Sequence, residues 1–224
     1  MEFMIYEKKD TTALITINRP KALNAFNSQM LDELTEALEM AEKDTGVRCV
    51  ILTAAGERAF TAGGDIKEEV QLNETTAAEF SRRGKKMIRS ILNHRVPVIC
   101  AVRGYALGGG MEMILAADIT VAATDALFRS KCSEEALKLG VVEDIVDPDE
   151  LLKRAFELAD TIADMAPLAV ENMKKSINTA MSAGLEESLG TETDIFASCF
   201  GTQDHLEATT AFLEKRAHGE FMRK

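Results

Sequence analysis

Apolar residues along this chain fall into two alternating periods. Ala13–Asn18 (ALITIN) is a short β-forming run that stops at Arg19-Pro20, where proline withholds a ladder donor. Asn27 or Ser28 then suits a helix N-cap. Met30, Leu31, Leu34, Ala37, Leu38 and Ala41 recur at helical spacing as far as about Lys43. Val47–Thr53 (VRCVILT) predicts a second strand with a nearly unbroken apolar end, as expected of a strand covered on both faces. A loop with three glycines runs from Ala54 to Gly64, and a polar helix covers about Ala77–Leu92. Val96–Val102 (VPVICAV) predicts a third buried strand. Strand, loop and helix in repeated order imply an α/β domain with mostly parallel pairing.

After Pro148 the pattern is helical throughout. One helix starts at Asp149 or Glu150 and ends near Met165, and another has Pro167 in its first turn and ends near Gly184. Leu185–Phe200 and Gln203–Ala217 complete a tail of helices. We therefore expect an α/β core over 1–147 and a helical region over 148–224.

Composition narrows the function classes. The 224 residues are 46% hydrophobic and 28% charged, ordinary for a globular domain. A net charge of −11 argues against nucleic acid and anionic membrane as partners. Cys49, Cys100, Cys132 and Cys199 show no CxxC or zinc-type spacing and read as buried free thiols; no metal site is expected. His94, His205 and His218 have no partner pattern and read as structural or exposed. The N-terminus MEFMIYEKKD lacks the apolar stretch of a signal peptide, and no run is long enough to span a bilayer. The expected location is the cytoplasm.

GYALGGGMEM, Gly104–Met113, is the segment with candidate chemistry. A phosphate-binding loop would need Lys and Ser or Thr after the second glycine, and a dinucleotide fingerprint would need G-x-G-x-x-G; neither is present. Two readings stay open. One is a strand-to-helix turn that presents a backbone N–H, aided by the helix dipole, to a developing oxyanion. The other is a tight turn under close packing. AFTAGGDIKEE, Ala59–Glu69, has the same form: a glycine pair, then an acidic helix start.

Five segments in order resemble the crotonase, or enoyl-CoA hydratase/isomerase, superfamily. They are NRPKALNAF (18–26), AFTAGGDIKE (59–68), PVICAVRGYALGGGMEMILAAD (97–118), SEEALKLGVVEDIV (133–146) and AFLEKR (211–216). The resemblance implies a crotonase-like spiral of ββα units with a helical C-terminal part that assembles trimers or hexamers. It implies an acyl-CoA thioester substrate whose enolate is stabilised, coenzyme A being part of that substrate, with no separate cofactor. By motif match, the oxyanion donors are the N–H groups of Gly64 and Gly109, and Glu112 is a catalytic carboxylate. The same match assigns CoA contacts to Lys21, Ala22 and Leu23, to Ala62, Asp65 and Ile66, and to Phe212 and Lys215, the last two often reaching a neighbouring subunit's site. Lys21, Lys67 and Lys215 would supply local positive charge.

One departure stands out. After Phe128 the family has a segment with a Pro-Glu pair and a Gly-Gly-Thr stretch, which carries the second acid of hydratases and the main one of many isomerases. Here Arg129-Ser130-Lys131-Cys132 leads directly to Ser133. Losing a strand-and-helix unit would cost much buried surface, so we expect the expressed protein to carry such a segment in addition. An intact mass near 24.5 kDa would mean a true deletion; one about 3–4 kDa larger would mean the added segment. The leading expectation is syn hydration of a trans-2-enoyl-CoA. Alternatives are a double-bond isomerase or another acyl-CoA-transforming member, and a non-catalytic acyl-CoA binder if the deletion is genuine.

Overall fold

The computed structural model describes residues 1–129 and 131–224. Its larger sheet has the order β1-β2-β3-β5-β7-β10. β1 (Met4–Lys9) and β2 (Thr12–Ile17) form an antiparallel hairpin. β3 (Cys49–Ala54), β5 (Val98–Val102), β7 (Ile119–Ala123) and β10 (Asp144–Val146) continue it in parallel. β1 was not foreseen. It is an edge strand whose Glu7, Lys8 and Lys9 are exposed, so it lacks the apolar signature of the central strands.

Side chains alternate between the two faces of this sheet, and each face is covered. Ala13, Ile15, Val50, Leu52, Val98 and Cys100 pack on one side with Leu34 and Leu38 of α1 (Ser28–Lys43) and Met87 and Ile91 of α3 (Glu74–Leu92). Asn27 caps α1, its side chain accepting from Met30 N at 2.8 Å. α3 begins three residues earlier than expected, because Asn73 and Thr76 form a reciprocal capping pair. Leu14, Ile51, Ile99, Ala101 and Val121 face the other way, onto Leu151, Ala155 and Ala159 of α6 (Leu151–Ala163). The core therefore runs across the 147/148 boundary, and α6 belongs with the sheet.

A second, smaller sheet lies beyond the carboxyl ends of the first, in the order β4-β6-β8-β9. β4 (Ala59–Thr61) follows β3, β6 (Tyr105–Ala106) follows β5, and β8 (Leu127–Phe128) follows β7. Each pair leads into a helix: α2 (Ile66–Glu69) and α3, then α4 (Gly109–Ala116), then α5 (Ser133–Lys138). These repeated ββα units are the expected spiral. β8 pairs with β9 (Lys131–Cys132) as an antiparallel hairpin. Buried Ser133 then anchors α5, its Oγ donating to Ala123 O at 2.8 Å and lying 3.1 Å from Ala126 O. Leu115, Leu137 and Leu139 are left exposed beside this short link.

The tail continues with α7 (Pro167–Ser182), α8 (Leu185–Cys199) and α9 (Gln203–Glu214). Lys174 of α7 is buried, its ammonium donating to Asp118 at 2.7 Å and to the carbonyls of Ile91 and Val96 at 3.2 Å. α7 is thus pinned at the amino ends of β5 and β7. Cys49 and Cys100 are buried free thiols as expected, whereas Cys132 and Cys199 are only half-buried.

Candidate functional site

The site is assembled at the carboxyl ends of the parallel strands by three loops that lock onto one another. Residues 18–26 and 59–65 are stitched along their backbones. Ala62 N donates to Leu23 O (3.0 Å), Phe26 N to Gly63 O (2.7 Å) and Asp65 N to Phe26 O (2.8 Å). Asn24, 1% exposed, holds the same two segments from inside: its amide donates to Ala55 O and Ala59 O, and its oxygen accepts from Arg19 N. Arg19 adds an ion pair to Asp65 at 2.5 Å. Asp65 also caps α2, accepting from Lys67 N at 2.9 Å. Burial pushes the Asp65 carboxyl up, but the Arg19 bond, the Lys67 N–H and both nearby cations outweigh it and hold it below the usual value.

The third loop, at the start of α4, docks on the second. Leu107 N donates to Thr61 O at 3.0 Å. The turns meet closely: a Cβ on Gly63 would stand 3.1 Å from Leu107 O, and one on Gly108 would stand 3.5 Å from Gly63 Cα. The triple glycine then has three separate explanations. Gly108 sits at φ 49°, ψ −120°, a conformation side chains disfavour. Gly110 faces Thr61, whose Cγ2 would lie 2.3 Å from an added Cβ. Gly109 is under neither constraint; a Cβ there would only touch the Phe26 ring at 3.4 Å. What Gly109 offers is its N–H.

Among the described residues, neither Gly109 N nor Gly64 N donates to any acceptor of the chain. Their neighbours do: Gly63 N is taken by Thr61 Oγ1, Asp65 N by Phe26 O, and Gly110 N by Leu107 O. Two unspent donors on interlocked turns, each at a helix start, are of the kind that suits a developing negative oxygen. The structure accommodates both readings of the glycine segment: Gly108 and Gly110 are closely packed, and the Gly109 N–H is left unspent.

Glu112 lies in the first turn of α4, exposed, and its carboxylate has no partner among the described residues. Beside it, Met111 and Leu115 border a cavity of about 570 Å³ whose other walls include Phe128, Ala136, Leu139 and Val141. The opening is apolar and adjoins the short link after Phe128.

The sequence-assigned CoA residues divide into two groups. Of these, Leu23 and Ala62 meet, through the bond from Ala62 N to Leu23 O. However, the N–H groups of Ala22, Leu23, Ala62 and Asp65 are consumed by internal bonds, so these residues shape the rim and donate little from their backbone. The Asp65 carboxylate is likewise spent on Arg19 and Lys67. Phe212 is not brought to this site within one chain. It is 83% exposed on α9 and lines a pocket with Pro97, Asp118 and Ile119, at the amino ends of the strands. Lys215 follows it as the C-cap of the same helix. Arg19, Asn24, Phe26 and Thr61 escaped sequence reasoning as site residues. The NRPKALNAF segment contained three of them, but their work is positional, and no spacing rule reports it.

Comparison with known proteins agrees with this architecture. The sequence pattern of the family "Enoyl-CoA hydratase/isomerase" matches residues 7–133 and 129–220. Among curated relatives, a short-chain-enoyl-CoA hydratase of Clostridium acetobutylicum is 37% identical over 248 aligned positions, covering 95% of each chain. A crotonyl-CoA hydratase of Syntrophomonas wolfei is 34% identical over 250, covering 96% of each. A crystal structure of an enoyl-CoA hydratase from Bacillus anthracis superposes with a TM-score of 0.92 at 28% identity, over 98% of this chain and 99% of that one. An alignment of 248 positions that uses 95% of 224 residues, about 213, leaves roughly 35 positions of the Clostridium protein unmatched. The family pattern breaks into two pieces at 129–133, which locates the gap in the short link. The chain belongs to the enoyl-CoA hydratase/isomerase family, with the crotonase fold.

Proposed function

We propose that the protein is an enoyl-CoA hydratase, adding water in syn fashion across a trans-2-enoyl-CoA thioester. The observation that carries this is the pair of unspent N–H groups at Gly64 and Gly109, with the unpartnered Glu112 in the first turn of the helix that Gly109 begins. The donors bind the thioester oxygen and take up the charge that develops there when water attacks Cβ. Glu112 accepts the proton of the attacking water. The apolar cavity against Met111 and Leu115 receives the acyl chain. The reaction needs no cofactor, since coenzyme A arrives as part of the substrate.

Two further parts of the reading concern the assembly and its setting. Phe212 and Lys215 reach a CoA only in a neighbouring subunit, so the working form is a homotrimer or homohexamer. We place it in the cytoplasm, with neither nucleic acid nor membrane as partner; no helix among the described residues is long and apolar enough to cross a membrane.

Crotonyl-CoA followed at the enoyl absorbance tests the activity. Loss of absorbance with formation of 3-hydroxybutyryl-CoA is the expected result. Migration of the double bond without hydration would favour the isomerase reading, and binding without turnover an acyl-CoA binder.

A further inference from the structure

The loop that supplies Gly64 carries three carboxylates, Asp65, Glu68 and Glu69, and two of them are fully committed. Asp65 is held by Arg19 and by Lys67 N. Glu68 is held by Ser28, through its N–H at 2.9 Å and through its hydroxyl. Glu69 has no hydrogen-bond or ion-pair partner among the described residues, and it does not extend into solvent away from the loop. Its side chain folds back over the start of α2, so that Oε1 lies 1.9 Å from where a Cβ on Gly64 would stand, and Cδ lies 3.0 Å from it. A free carboxylate therefore rests on the residue that provides one of the two oxyanion donors. Gly64 has to be glycine for Glu69 to occupy this place.

We infer that Glu69 is a second catalytic carboxylate of this site and handles the proton at the substrate α-carbon. The argument rests on the hydratase reading above. Hydration moves two protons at two atoms: one leaves the water that adds to Cβ, and one arrives at Cα. With the thioester oxygen on Gly64 N and Gly109 N, Cα is two bonds from that oxygen, at the donor pair whose Gly64 side Glu69 borders. Glu112 is on the other loop. Glu112 takes the proton from water as the C–O bond forms at Cβ, and the carboxylic acid form of Glu69 gives its proton to Cα as the enolate collapses. Both side chains are exposed, so each returns to its starting state by exchange with bulk water, and the sum is one water added. This places the second proton-transfer group on the Gly64 loop of a chain whose link after Phe128 is only four residues long.

Exchange of the α-protons of butyryl-CoA in deuterated water, read by NMR, reports proton transfer at Cα without any hydration step. It is measured together with crotonyl-CoA hydration and butyryl-CoA affinity for the wild type, Glu69→Gln and Glu69→Asp. We expect Glu69→Gln to lower exchange and hydration alike by about 100-fold or more, with affinity within about threefold, and Glu69→Asp to recover part of both rates. Glu69→Gln exchanging at the wild-type rate, in an enzyme that hydrates crotonyl-CoA, would overturn the assignment and leave the hydratase reading intact. So would a loss of affinity as large as the loss of rate, which would make Glu69 a contact of the substrate only. A wild type silent in both assays would overturn both.

Discussion

Gly109 is the first residue of α4, a position where the backbone N–H is unspent and where proline is sterically tolerated. Gly109→Pro therefore removes the donor while leaving the helix able to form, and Gly109→Ala, which keeps the N–H, separates donor loss from added bulk. Turnover of crotonyl-CoA by Gly109→Pro should fall by roughly 100- to 1000-fold, the usual scale for one oxyanion donor. A folded proline variant with near-normal turnover would show that the donor lies elsewhere. Glu112 makes a different prediction. It is exposed and bears no internal bond, so Glu112→Gln should leave the melting temperature unchanged. Its hydration rate should drop by about 100-fold, with acyl-CoA affinity little altered, because the oxygen and the nucleotide are held by other groups. Equal losses of affinity and rate would give Glu112 a positioning role.

Among the elements, the site depends on the tie between the Arg19 loop and α2. The Asp65 carboxyl is held below its usual value, so the folded chain favours the ionised form. The stabilisation is complete above the ordinary aspartate value of about 3.9 and is lost as pH falls through the lower folded value. Asp65→Asn cannot titrate at this position. Wild type should accordingly be more stable than Asp65→Asn at pH 6, and the difference should shrink once the pH drops below about 4. Thermal unfolding midpoints across pH 3 to 7 read this directly; a difference that did not vary with pH would mean that the ion pair contributes nothing through its charge. The same loop is supported by Asn24, whose two bonds to carbonyls and one from Arg19 N do not depend on pH.

For the molecule as a whole, the apolar surface of the helical tail divides between the sheet and solvent. Leu151 and Ala155, with half-buried Phe156 and Leu158, face the sheet and are unavailable to a partner. Leu152 points outward, 41% exposed. The uncovered face is on α7, α8 and α9: Met173, Ile177, Met181, Phe196, Phe200 and Phe212 are all more than half exposed. α8 buries none of its side chains. A pocket of about 790 Å³ between α7 and α9 is lined chiefly by apolar groups, Met165, Val170, Met173 and Ile177 among them. A monomer would leave this surface in water, which is unusual for so large a patch. Light scattering at micromolar concentration should give three or six times the 24.5 kDa chain mass. A monomeric mass would remove both the assembly and the route by which Phe212 and Lys215 reach a CoA.

The amino-acid sequence by itself determined the alternation of buried strands and helices, the helix start at Asn27, the first-turn Pro167 of α7, and the segments that hold the site. Those features depend on neighbours a few residues apart, and periodicity records them. It also marked the two glycine-rich strand-to-helix turns, a local pattern, within which the resemblance to the family singled out Gly64, Gly109 and Glu112. Tertiary structure decided the rest. Which of three consecutive glycines keeps an unspent N–H without close packing follows from contacts with Thr61, Gly63 and Phe26, from 45 to 83 residues away in the chain. The second face of the sheet packs α6 into the core, and Arg19 takes up the Asp65 carboxylate. Glu69 looked like one more charge at a helix start until folding consumed the carboxylates beside it and left it alone on Gly64. A side chain's chemistry is set by what remains unpaired once long-range contacts are made, and those contacts leave no periodic trace in the chain.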